Sequence, residues 1–163
     1  MGSTEMTFAI AELEAGGGVL GICPLPGRFR DYGTDLAAVL DWRPDAVLSL
    51  TTAPEMARHG AGRLGQDLAA RGVAWHGLPV PDFGVPPPEI VAVWPDLLPL
   101  LSGGGRVLGH CYGGCGRSGM ALLRLMVAAG EPGPQALARL RAVRPCAVET
   151  EEQRLWAVSG GGA

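Results

Sequence analysis

Short apolar runs alternate with helix-patterned segments along almost the whole chain, and this alternation restricts the fold more than any other feature. Residues 8–13 and 19–23 read as short strands joined by a turn-like AGGG. Residues 31–42 place Leu36, Val39 and Leu40 on one helical face, and Pro44 stops the helix. Residues 46–50 form a buried-strand pattern, 63–71 a helix closed by Gly72, and 73–80 another strand. The stretch PDFGVPPPE is a loop by its Pro and Gly content, and 90–101 is helical behind that Pro-rich entry. Residues 106–110 form a strand introduced by SGGG. Residues 118–129 are apolar nearly all round, interrupted by Arg124, as a centrally buried helix requires. Helices over 132–143 and 150–158 complete the pattern. Strands alternating with helices predict an α/β fold, with a central, mostly parallel sheet of about five strands and helices on both faces.

A chain of 163 residues is about one domain's worth, with no repeat or linker that would split it. Residues 1–6 read as a flexible N-terminus, 7–158 as the domain and 159–163 as a disordered tail. Hydrophobic residues make up 47% and charged residues 18%, which excludes wholesale disorder. The net charge is −3, and all 13 basic residues are Arg, with no basic run. Such a chain is a poor nucleic-acid or anionic-membrane binder. No apolar stretch approaches the roughly 20 residues that span a bilayer, and MGSTEMTFAI has no secretory pattern. The four cysteines, Cys23, Cys111, Cys115 and Cys146, are too sparse for a disulfide scaffold. Free thiols without a signal peptide predict a cytoplasmic protein. The histidines, His59, His76 and His110, form no zinc-type spacing, and the adjacent His110-Cys111 pair is a strained chelate; no metal or cofactor is expected.

The chemistry lies where the last strand meets the long buried helix, in His110-Cys111-Tyr112-Gly113-Gly114-Cys115-Gly116-Arg117-Ser118-Gly119. A Gly-rich loop between a strand and a helix N-terminus is an anion cradle. Gly113, Gly114 and Gly116 let backbone N–H groups turn toward one point, and the helix dipole adds to the field. Arg117 supplies a planar fork for phosphate oxygens. Cys111 sits at the mouth, where a helix N-terminus and a cation depress a thiol pKa; a thiolate nucleophile is expected. The loop is not a Walker motif, for it lacks the Gly-Lys-Ser/Thr ending. In this composition H-C-x5-R-[S/T]-G arises by chance about 6 times in 100,000 such chains.

The loop HCYGGCGRSG, the upstream LPGRFRD and the downstream RPCAVETEEQ resemble the Cys-dependent protein phosphatases, in the compact dual-specificity branch that includes kinase-associated phosphatase. The resemblance runs from about Leu20 to Val158. It implies that Cys111 attacks phosphorus to form a cysteinyl-phosphate, with Arg117 and the amides of residues 112–116 on the equatorial oxygens and no metal. It further implies that Asp82, in the segment 78–84, is the general acid and then the base. Ser118 would hydrogen-bond the sulfur, His110 would hold the loop through its ring nitrogens, and Gln153 would help place water. The implied partner is a phosphorylated protein, carrying phosphotyrosine with phosphothreonine as the second candidate, and the chain is expected to act as a monomer.

Plainer readings stand beside these. Asp82 before Phe-Gly is also an ordinary turn residue, with Asp31, Asp35 and Asp96 as competitors for the acid. Ser118 also fits a helix N-cap, and Gln153 fits a capping box with Thr150. His110 equally suits a satisfied core histidine. Trp42, Trp75, Trp94 and Trp156 read as core. Arg28 and Arg30 are either solvated or line a substrate rim. Cys115 is either a small apolar substitute or a thiol that captures oxidised Cys111 as a disulfide. Two further functions remain open: a catalytically silent phosphopeptide-binding module, and thiolate-loop chemistry on a non-protein phosphomonoester, a sulfur compound or arsenate.

Overall fold

Three parallel strands ending in step create the edge on which this molecule works. The computed structural model describes residues 7–87 and 93–159. The expected flexible N-terminus, all but Ser159 of the expected tail, and the start of the helix expected at 90–101 lie outside them. The sheet has five strands: β1 (Ala11–Ala15), β2 (Gly18–Cys23), β3 (Ala46–Ser49), β4 (Ala74–Gly77) and β5 (Arg106–His110). Their order is β1-β2-β5-β3-β4. Only β1 runs antiparallel, paired with β2 across the tight turn at Gly16 and Gly17. Strands β2, β5 and β3 are parallel, and Cys23, His110 and Ser49 sit side by side in register.

Period-two alternation splits the side chains of these strands between two cores. Leu20, Ile22, Leu48 and Val107 pack with α4 (Trp94–Ser102), α5 (Gly116–Ala128), α6 (Gly133–Val143) and α7 (Glu151–Val158). Cys23, Val47 and Leu108 pack with α1 (Tyr32–Trp42), α2 (Ala53–Arg58) and α3 (Leu64–Ala69) on the opposite face. The chain is thus a single α/β domain with helices on both faces. Among the described residues no helix is long and apolar enough to cross a membrane.

Local chemistry accounts for the element ends. Asp31 caps α1, accepting from Thr34 N at 3.0 Å. Thr150 caps α7, and Gln153 reaches back as the capping-box partner. Helix α5 is buried along nearly its whole length, and its one charged side chain beyond the first turn, Arg124, lies over the Trp156 ring and donates to Trp156 O. One helix escaped the periodicity argument. The six residues of α2 follow the cap Thr52, with Pro54 in the first turn and Glu55 at the third position.

One expectation about side chains needs correction, and one pair of readings is resolved. Trp75 is not core: it lies on the edge strand β4, 39% exposed, its ring folded over Gly65 and Gly77. Of the two readings of Arg30 the solvated one holds: 41% exposed, it pairs at 2.7 Å with the fully buried Asp35 and is not among the residues lining the cavity.

Candidate active site

The loops that follow the carboxyl ends of parallel strands are where α/β sheets gather ligands. Four such loops converge here. The segment 111–115 follows β5, residues 24–30 follow β2, α2 follows β3, and residues 78–84 follow β4. Three of them, with the start of α5 and Glu149, line a cavity of about 220 Å³: Cys111, Tyr112, Gly113, Cys115, Gly116 and Arg117, with Arg28, Asp82, Phe83 and Glu149.

Cys111 is buried at the floor, and its Sγ lies 3.2 Å from Ser118 Oγ. Helix α5 starts at Gly116, so Ser118 is inside its first turn and is not the N-cap. The loop amides can turn inward because the carbonyls are satisfied outside the cavity. Tyr112 O accepts from Leu25 N at 3.2 Å and from Arg28 at 3.2 Å. Gly113 O and Gly114 O accept from Arg144 at 2.8 Å each. Gly114 has φ +71°, and a Cβ there would sit 2.5 Å from the Cys23 carbonyl carbon. Gly114 is therefore a packing residue against the end of β2, as well as a bend.

Arg117 is 1% exposed and is held by Glu55, which takes Nη1 and Nη2 at 2.8 Å each. Nη1 also donates to Val80 O at 2.9 Å. Burial pulls the Arg117 pKa down, but Glu55 foremost, with Cys111 and Asp82, raises it above its ordinary value. The same bond holds Glu55 down to about 2. Asp82 stands 3.4 Å from Nη2, while Nε is buried with no partner among the described residues. The end of the guanidinium is thus spent on Glu55. The Nε–Nη2 edge is the side available to a planar bidentate anion.

His110 is fully buried. Its Nε2 lies 2.6 Å from Ser49 Oγ, which accepts from Trp75 Nε1 at 2.8 Å. With Ser49 donating to Nε2, Nδ1 carries the proton and faces Cys111 O at 3.4 Å. Burial lowers its pKa to about 4, so the ring is a neutral link between β3 and the loop. Gln153 is also buried. Its Oε1 accepts from Glu149 N and Thr150 N, and Nε2 donates to Gly84 O at 3.2 Å. Gln153 therefore serves as a capping residue and a tie to the 81–84 loop.

Cys115 corrects an expectation. Its disulfide partner is Cys146, with Cα atoms 5.1 Å apart, while Cys111 is a free thiol. A chain read as holding only free thiols thus carries one crosslink. Among the described residues, no group of three or more His, Cys, Asp or Glu side chains is placed to hold a metal ion.

Comparison with known proteins agrees with this geometry. No protein-family model matches the chain. Mouse cyclin-dependent kinase inhibitor 3 is 31% identical over 144 residues, which are 82% of this chain and 67% of that protein. The rat protein of the same name is 30% identical, over 82% of this chain and 68% of its own length. The chain belongs to the Cys-dependent tyrosine/dual-specificity phosphatases. Among solved structures, a kinase-associated phosphatase with its catalytic-site cysteine changed to serine superposes with a TM-score of 0.82 at 23% identity. That match covers 94% of this chain and 93% of the other, and it speaks for the fold. Tk-PTP in its active form matches with a TM-score of 0.67 at 31% identity, over 84% of this chain and 87% of the other.

Two phosphatase-site residues escaped the sequence reading. Glu55 carried a signal as a capping residue, but its pairing with a residue 62 positions away needed the sheet order. Glu149 packs against Gly116 closely enough that a Cβ there would strike its carboxylate. Burial, reinforced by the charge of Asp82, raises its pKa. None of the competing acids lines the cavity: Asp31 caps α1, Asp35 pairs with Arg30, and Asp96 lies in the first turn of α4.

Proposed function

We propose that this phosphatase hydrolyses phosphotyrosine, and phosphothreonine more slowly, in proteins, through a cysteinyl-phosphate on Cys111. The observation that carries the reading is the meeting in one small cavity of a buried thiol beside Ser118 and a locked Arg117 with an unpartnered Nε. The Nε–Nη2 edge of Arg117 and the loop amides take the equatorial phosphoryl oxygens. The Cys111 sulfur attacks phosphorus, and the bond to the leaving oxygen breaks. Asp82, at the cavity mouth, gives its proton to that oxygen. In the second half-reaction Asp82 takes a proton from the attacking water, and Ser118 donates to the departing thiolate. Binding the phosphoryl group displaces Asp82 from Nη2, freeing it for the leaving group.

Protein substrates suit the rim. Arg28 is stacked 3.9 Å from the Tyr112 ring centroid and 4.5 Å from that of Phe29, which fixes a cation beside the cavity for acidic side chains. Phe83, 56% exposed, offers an aromatic wall. The similarity to a cyclin-dependent kinase inhibitor and a kinase-associated phosphatase supports a phosphoprotein substrate. The working unit in this proposal is a cytoplasmic monomer.

The test is hydrolysis of p-nitrophenyl phosphate in excess EDTA, followed by phosphotyrosine and phosphothreonine peptides. Metal-independent turnover that Cys111→Ser abolishes is expected, with phosphotyrosine peptides preferred. Peptide binding without turnover by the wild type would overturn the reading in favour of a silent binding module. Turnover confined to non-protein monoesters would overturn the substrate assignment.

A further inference from the structure

We propose that residues 144–148 are an outer brace that positions the phosphate-binding loop, and that the Cys115–Cys146 disulfide sets how firmly the brace holds. The inference rests on the reading of the loop as a phosphoryl cradle.

Inward-facing amides require that the carbonyls of the same peptides find partners outside. Arg144 supplies two of these contacts, Nη2 to Gly113 O and Nε to Gly114 O. Val148 N supplies another, to Cys115 O at 3.1 Å. Three consecutive loop carbonyls therefore lean on one five-residue segment. That segment is anchored in turn by Arg141, whose guanidinium donates to Ala147 O and Val148 O. The disulfide joins the loop to the same segment across 31 residues of sequence, and it leaves Cys111 as a free thiol. It is thus a tether on the brace and takes nothing from the nucleophile. Cys146 is exposed, within reach of small thiols and disulfides.

The chemistry is balanced thiol–disulfide exchange with a low-molecular-weight disulfide such as oxidised glutathione. One cysteine thiolate attacks a glutathione sulfur and expels one glutathione thiolate. The second cysteine attacks the mixed disulfide and expels the other, so two thiols lose two protons and two electrons as the S–S bond forms. A dithiol reductant reverses the step. Disulfides in cytosolic proteins are usually catalytic or redox-sensing. This one, set against the cradle, couples the redox poise to oxyanion affinity. Arg144 is a positioning residue in this scheme: it touches the loop carbonyls and leaves the reacting atoms to Cys111 and Arg117.

The experiment measures competitive inhibition by tungstate, with KM and kcat for p-nitrophenyl phosphate. Four samples are compared: oxidised wild type, reduced wild type, Cys146→Ser and Arg144→Ala. Alkylation under denaturing conditions, read by intact mass, should count two free thiols in the oxidised protein and four in the reduced, with no glutathione adduct on Cys111. Reduction should weaken tungstate roughly fivefold or more, the lower end of ordinary site-to-site coupling. KM should rise in parallel, with kcat within about twofold, the pattern of lost binding as opposed to lost chemistry. Cys146→Ser should match the reduced wild type in either buffer, and Arg144→Ala should weaken tungstate in both redox states. Should Cys146→Ser fold poorly, the two wild-type samples still decide. Tungstate inhibition that is the same in oxidised and reduced wild type, or four free thiols after glutathione treatment, would overturn the proposal while leaving the phosphatase reading intact. Absence of tungstate binding in every sample would overturn both.

Discussion

The loop at 111–117 and the loop at 81–84 face each other across one cavity and are held in very different ways. In the first, the carbonyls of residues 112–115 are bonded outside the cavity, Arg117 is clamped by Glu55, and a disulfide backs the loop. In the second, the Asp82 side chain is 51% exposed and Phe83 adopts φ +63°. A non-glycine residue there pays about 1–2 kcal/mol. Its outside ties are Gln153 to Gly84 O at 3.2 Å and Asp82 to Arg117 at 3.4 Å. The contrast fits the division of labour. Oxyanion binding gains from donors fixed in advance, whereas a group that serves as acid and then as base for a different oxygen must shift between them.

The largest expected effect falls on the rigid side. Cys111→Ser should reduce turnover to background while the protein still competes for phosphotyrosine peptide, measured as peptide binding beside the lost activity. On the looser side, Asp82→Asn should lower kcat by roughly 10²–10⁴-fold, the usual scale of general acid–base catalysis. Because the side chain is half exposed, its melting temperature should barely move. A large loss of stability would mean that the 81–84 loop is a structural element after all.

Acid should separate the two sides further. In the unfolded chain His110 binds a proton near its ordinary 6.5, but in the fold it does so only near 4. Across that window the unfolded state holds more protons, so stability falls as pH drops from 6.5 to 4 and the term is flat below. At about 1.4 kcal/mol per pH unit the loss is about 3 kcal/mol. Glu55 adds a second loss of the same sign, beginning below its ordinary 4.5 and running toward 2 as the Arg117 partner is protonated. Urea melts from pH 7.5 to 3.5 test the sum. Titration of the imidazole resonances tests the cause, and a His110 midpoint near 6.5 would contradict it. The smallest effect is expected at the tie between the two sides. Gln153→Ala removes the capping-box partner of Thr150, a feature worth about 0.3–1.5 kcal/mol, and frees Gly84 O, so kcat should fall by less than in Asp82→Asn.

What the sequence disclosed follows the range of its interactions. The strand–loop–helix unit at 106–128 was legible because its strand, its glycines and its apolar helix are contiguous. Asp82 was legible only as a loop residue in a matching segment. Glu55 and Glu149 were not, since each meets the loop through the sheet order and a distant turn. The Cys115–Cys146 bond eluded the reading for the same reason. The sequence offers Cys115 as a small apolar residue or as a partner for the nearer thiol, Cys111, whereas the fold joins it to Cys146 in the segment before α7. Gln153 shows the reverse case, in which the plain capping role is realised and also ties the acid loop in place.

The most direct test of the account is acid-quench trapping of the enzyme during turnover of p-nitrophenyl phosphate, with peptide mass spectrometry of the loop. The account predicts one added phosphoryl group on Cys111, absent from Cys111→Ser and from the substrate-free protein. Steady turnover with no phosphoryl group on Cys111 at any quench time, or a phosphoryl group on another side chain, would contradict it.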